Sequence, residues 1–156
     1  MYGKRKVTFM SFTSKVKNKW EIILSKADID LENPSREEII DLITASLPYK
    51  EIEAQLTRLA VHLIKTMIYE KTTRSWQTTI KDAVLRIRRY NTRRKAKGVY
   101  FSLEDMQKML FDEWSNILTW TVKESEKKWT ISKLKKEVHK NDILEKMKTL
   151  KLDKRI

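Results

Sequence analysis

Apolar residues recur at three- and four-residue steps along most of this chain, the spacing of amphipathic helices rather than of strands. Phe12, Val16, Trp20, Ile23 and Leu24 share one face of a first helix that Ser11 or Thr13 can cap. After an acidic connector, Ser35 and Glu38 read as a capping box ahead of Ile39, Ile40, Leu42, Ile43 and Leu47, and Pro48 is expected to end that second helix. Ile52, Leu56, Leu59, Leu63, Ile64, Met67 and Ile68 point inward from a long third helix. Trp76, Ile80, Ala83, Val84 and Ile87 line a fourth. That helix either runs straight on from the third or bends away at residues 71–73, and Gly98 is its expected C-cap. Ser102 and Asp105 start a fifth helix bearing Met106, Met109, Leu110, Trp114, Ile117, Leu118 and Thr121. Trp114 and Trp120 belong to the core or to a subunit contact. From Thr130 a lysine-rich helix carries Ile131, Leu134, Val138, Leu144, Met147 and Leu150, either whole or broken near residues 141–142.

Composition agrees with the periodicity. Two Gly and two Pro in 156 residues leave little turn chemistry for a sheet, and 40% hydrophobic residues are enough for a real core. The expected class is all-α: a basic N-terminal arm and first helix over residues 1–27, followed by a helical bundle over residues 28–156. The absence of cysteine excludes a disulfide framework and thiolate chemistry. The apolar run between Lys6 and Lys15 is too short for a signal peptide, and no run of about 18 apolar residues suggests a membrane span.

Charge changes the picture most. The net charge of +13 is laid down in blocks: +6 over residues 1–27, −6 over residues 28–54, +1 over residues 55–70, +9 over residues 71–98, −4 over residues 99–126 and +7 over residues 127–156. Within residues 71–98 ten basic residues face a single acid, Asp82, so i, i+4 partners are scarce and the like charges repel unless a polyanion lies across them. Drawn as one helix, Arg74, Lys81, Arg88 and Lys95 line one flank over roughly 30 Å, and Arg86, Arg89, Arg93 and Lys97 the other. The candidate nucleic-acid contacts are Lys4, Arg5, Lys6, Lys15, Lys17, Lys19, Trp20 and Lys26 near the N-terminus. Arg74, Lys81, Arg86, Arg88, Arg89, Arg93, Arg94, Lys95 and Lys97 complete the set. Neutralising +13 covers about 13 phosphates, or roughly 6 to 7 base pairs per chain.

No glycine-rich phosphate loop, HExxH or GxSxG is present, so no enzyme, cofactor or metal is expected. Glu37/Glu38 and Glu51/Glu53 diverge on a helix too far for paired acid–base work, and His62, with only His139 elsewhere, has no ligand set. There is no compact helix-turn-helix or zinc finger, so the basic groups are suited to phosphates rather than to reading bases.

The basic arm, Ser11-Phe12-Thr13, the spaced Lys15, Lys17 and Lys19, and then Trp20 together resemble the N-terminal region of major capsid proteins of filamentous archaeal viruses. The closer likeness is to the lipothrixvirus branch, related to the rudiviruses. It covers residues 4–20, and the rest of the chain is richer in Lys and Ile than the Gly- and Ala-rich rudivirus coats. The resemblance implies a virion protein whose N-terminal helical arm wraps linear double-stranded DNA held in the A form. It also implies that a C-terminal bundle builds a helical filament, with the chain paired with itself or a paralogous capsid protein, with or without a membrane envelope. Two other readings use the same basic residues: a small helical subunit of a ribonucleoprotein complex of the CRISPR-effector kind, and a matrix-like protein bridging membrane and nucleoprotein through the basic C-terminal helix.

Overall fold

The computed structural model describes residues 14–26, 32–93, 97–126 and 128–156, the side chains of Ser14, Lys26 and Asp41 excepted. Among them are six helices and no strand, so the chain is all-α, a helical bundle. The helices are α1 Ser14–Lys26, α2 Arg36–Ile68, α3 Arg74–Asn91, α4 Leu103–Glu124, α5 Ile131–Glu137 and α6 Lys140–Thr149. Two compact units, Met1–Lys50 and Glu51–Ile156, divide the chain, and the division falls inside α2.

In the first unit α1 buries Ile22 and Ile23 and half-buries Val16, Trp20 and Leu24. Ser35 caps α2: its hydroxyl accepts from the Glu38 N–H at 3.2 Å, and its carbonyl from the Ile39 N–H at 3.1 Å. Glu37 and Glu38 lie in the first turn, where negative charge favours the helix dipole. Pro48 does not end this helix, contrary to expectation; the second and third helices read from the sequence are one. The carbonyl that a proline at 48 deprives of its donor is that of Thr44, an exposed residue where solvent can take over, so the proline costs one bond rather than the helix. The apolar positions at the start of α2 differ in burial. Ala45 and Tyr49 are buried, whereas Ile39, Ile40, Ile43 and Leu47 are 44%, 50%, 56% and 64% exposed. This part of α2 is apolar on two opposite faces, and only one of them is covered.

In the second unit α2 contributes Ile52, Leu56, Leu59, Ala60 and Ile64 to the core, and α4 contributes Met106, Met109, Leu110, Trp114, Ile117 and Leu118, the face its periodicity predicts. Ser102 and Asp105 form the complete reciprocal capping box at the start of α4. α5 and α6 both pack on α4 and bury Leu134, Ile143 and Met147. The lysine-rich helix is indeed broken, but at Val138 and His139 instead of residues 141–142. Val138 takes an extended conformation that buries its side chain while its N–H still reaches Leu134 O at 2.8 Å. Between α2 and α3 the chain turns: Glu70 sits at φ +51, and Thr73 caps α3 by accepting the Trp76 N–H at 3.1 Å.

Candidate nucleic-acid interface

Helix α3 buries Ala83, Val84, Ile87 and Asn91 on one side. On the opposite side Arg74, Lys81 and Arg89 are exposed, within an arc of about 80° and along about 22 Å of helix. No carboxylate among the described residues is within ion-pair distance of these three. The exposed Leu85 sits among them.

The remaining basic groups of α3, Arg86 and Arg88, have partners inside the chain. Asp82 accepts from Arg58 Nη1 of α2 at 2.8 Å and from Arg86 Nε at 3.0 Å. The hydrogen bond from Arg58, with the two positive charges beside it, holds the Asp82 carboxyl below the ordinary aspartate value even though desolvation opposes the shift. Arg88 donates from Nε to Lys151 O at 3.1 Å and from Nη2 to Leu150 O, so its guanidinium caps the carbonyls at the end of α6. The 30 Å flank through Arg88 and Lys95 drawn from sequence is therefore shorter and less populated than expected.

Gly98 is not the cap, because α3 stops at Asn91 and Thr92 closes it. The cause is local and chemical. Asn91 is fully buried; its Nδ2 donates to Phe101 O and its Oδ1 accepts the Phe101 N–H, both at 2.8 Å, so its amide stands in for a peptide group of a neighbouring strand. Tyr100 N–H adds a bond to Asn91 O at 2.9 Å, and Thr92 bridges Val99. The chain must leave the helix to make these contacts, and Gly98, at φ +95, provides the return. Arg93 and Lys97 are thus exposed on a loop, with the Arg93 guanidinium 5.5 Å from the Tyr100 ring centre, while Arg94 and Lys95 lie outside the described residues.

On α1, Lys15 and Lys17 are exposed, with Lys17 3.9 Å from Glu21. Lys19 is half-buried with its ammonium 5.6 Å from the centre of the Tyr49 ring, and Trp20 is half-buried. Lys4, Arg5 and Lys6, the proposed cap residues Ser11 and Thr13, and Phe12 lie outside the described residues, as does the side chain of Lys26.

Sequence reading missed three cations that build the second unit. Arg58 ties α2 to Asp82. Lys65, almost buried, pairs with Glu124 at 3.2 Å and stands 4.8 Å from the Trp76 ring centre. Arg155, at the far end of the chain, donates to Arg93 O at 3.4 Å. The available signal was weak: a lysine inside an otherwise apolar stripe, which needs a partner if it is buried. His62 is satisfied, with Nδ1 2.9 Å from Arg58 O. It borders a cavity of about 370 Å³ walled by Ala54, Val61 and Trp120, the last 52% exposed. No cluster among the described residues has the makings of a metal site, and none of their helices is long and apolar enough to cross a membrane.

No protein-family model matches this chain, and neither a curated protein nor a solved structure matches it.

Proposed function

We propose that this protein is a structural virion component that coats linear double-stranded DNA without regard to sequence and polymerises along it as a helical filament. The observation that carries the DNA-binding part is the outward face of α3, where Arg74, Lys81 and Arg89 lie without a carboxylate partner among the described residues. Such a row suits phosphates spaced along a duplex and has no base-reading geometry. Lys15 and Lys17 are likewise exposed, on α1 of the first unit, and are further candidate phosphate contacts. The likeness of residues 4–20 to filamentous-virus coats supports the packaging role, as does the charge of +13 on so short a chain. Arginine and lysine heads that replace the hydration of the backbone would favour the A form, since low water activity does the same.

The test is duplex affinity across a salt series for the parent and for an Arg74→Ala, Lys81→Ala, Arg89→Ala variant. Each phosphate contact contributes about 0.9 to the slope of log affinity against log salt, so the variant is expected to lose up to about 2.7. Random and defined duplexes should bind alike, and the circular dichroism of saturated DNA should move to the A-form spectrum. Unchanged salt dependence in the variant would remove the α3 face from the interface. Tighter binding to single strands than to duplex would favour the ribonucleoprotein reading.

A further inference from the structure

Two patches of this chain are apolar and differ in charge: one is an exposed helix face, the other a groove whose floor is largely buried. The first is the uncovered face of α2, where Ile39, Ile40, Ile43 and Leu47 present a stripe about 12 Å long, with Glu37 and Glu38 in the turn that opens it. The second is a cavity of about 630 Å³ in the other compact unit, between α4 and the α5–α6 corner. Its walls are Phe111, Trp114, Leu118 and Ile131, and its basic groups are Lys135 and Lys140. Ile131 is 42% exposed there, and the Lys140 ammonium lies 5.5 Å from the Phe111 ring centre. Asp112 is the carboxylate among the lining residues.

Exposed isoleucines and leucines at helical spacing mark a contact when they adjoin one another, whereas scattered ones do not. A helix face with an acidic first turn complements a groove edged by lysines, and an apolar stripe fills a groove floored by Trp114 and Leu118. We infer that the Arg36–Leu47 part of α2 in one copy docks into the α4–α5–α6 groove of a second copy. The two patches differ, so the contact is head-to-tail. Each added copy leaves one stripe and one groove free, so growth continues until a ring closes or, where none closes, as an open chain. This supplies a contact for the polymerisation proposed above, yet it needs no DNA to form.

Sedimentation velocity over a range of concentrations without DNA tests it. The parent should gain average mass with concentration. Ile43→Asp, which blocks the stripe, and the double change Lys135→Glu, Lys140→Glu, which reverses the groove, should each stay monomeric with unaltered helical circular dichroism. All three positions are exposed, so folding is not at stake. Mixing the two variants in equal amounts is decisive. The intact stripe of one fits the intact groove of the other, so dimers should form and growth should stop there. A monomeric parent, variants that self-associate as the parent does, or a mixture that stays monomeric would each overturn the contact. The Ile43→Asp protein should bind a short duplex as the parent does. Self-association without duplex binding would sink the DNA reading and leave this contact standing.

Discussion

Asp82 and Arg88 differ in what they do for the chain, although both sit on the same basic helix. Asp82 is the one carboxylate in a stretch of ten cations, and it holds Arg58 of α2 and Arg86 of its own helix. Its carboxyl titrates lower in the folded chain than in the unfolded one, so the contribution is complete above the ordinary aspartate pKa of about 3.9 and is lost as pH falls through the folded value. Asp82→Asn should therefore melt below the parent at pH 7, with the gap closing in acid. Because the pair is exposed to solvent, the gap at pH 7 should be small and should shrink in high salt. Thermal melts of both proteins at pH 7 and pH 3 check this. Arg88, by contrast, hydrogen-bonds two backbone carbonyls at the end of α6. Arg88→Ala should cost about 1–2 kcal/mol in urea unfolding, from two lost bonds to neutral acceptors. It should leave the salt slope of duplex binding nearly as in the parent, the reverse of the pattern expected for Arg74, Lys81 and Arg89.

At the level of elements, the end of α3 depends on a single side chain. Asn91→Ala would remove both amide bonds and leave the Phe101 N–H and carbonyl unpaired in a buried position, at a cost of about 2–4 kcal/mol. Asn91→Asp should be no better, since a carboxylate cannot donate to Phe101 O and carries buried charge. Urea unfolding of both variants distinguishes this from a simple turn, where alanine would matter little. Helical character was legible from periodicity throughout the described helices, because each has an apolar face for it to record, although the division into separate helices was not. Helix ends were legible where the cap is chemical and local, as at Ser35 and at Ser102 with Asp105. They were not legible at Asn91, where the partner that ends the helix is ten residues further along the chain. Nor were they at Pro48, where a general rule about prolines loses to the solvation of one exposed carbonyl.

Across the whole molecule, positive and negative charge lie in separate blocks, and the proposed duplex binding rests on the positive ones. Duplex binding should weaken steeply with salt, whereas head-to-tail association through an apolar stripe should survive moderate salt much better, since burial of apolar surface is not screened. Raising the salt should thus strip DNA from the protein before it dissolves the protein–protein contact, and parallel measurements of duplex affinity and sedimented mass separate the two. Ile43→Asp should show the complementary loss: short-duplex affinity retained, and long filaments on linear DNA absent in electron micrographs.

The sequence alone determined the all-α class, the buried faces of α3 and α4 and the places where positive charge is concentrated. These depend on residue type and spacing along a single helix, which one chain carries in full. Only tertiary structure decided which cations remain available. Arg58, Arg86 and Arg88 are held by groups on the same or neighbouring elements, Lys65 is drawn inward by Glu124 and Trp76, and Arg74, Lys81 and Arg89 are left facing out. Tertiary structure also decided which of the two apolar faces of α2 is covered. A periodic pattern shows that a helix has an apolar face, but the neighbour that covers it comes from distant sequence or from another molecule, and neither is written in the pattern itself.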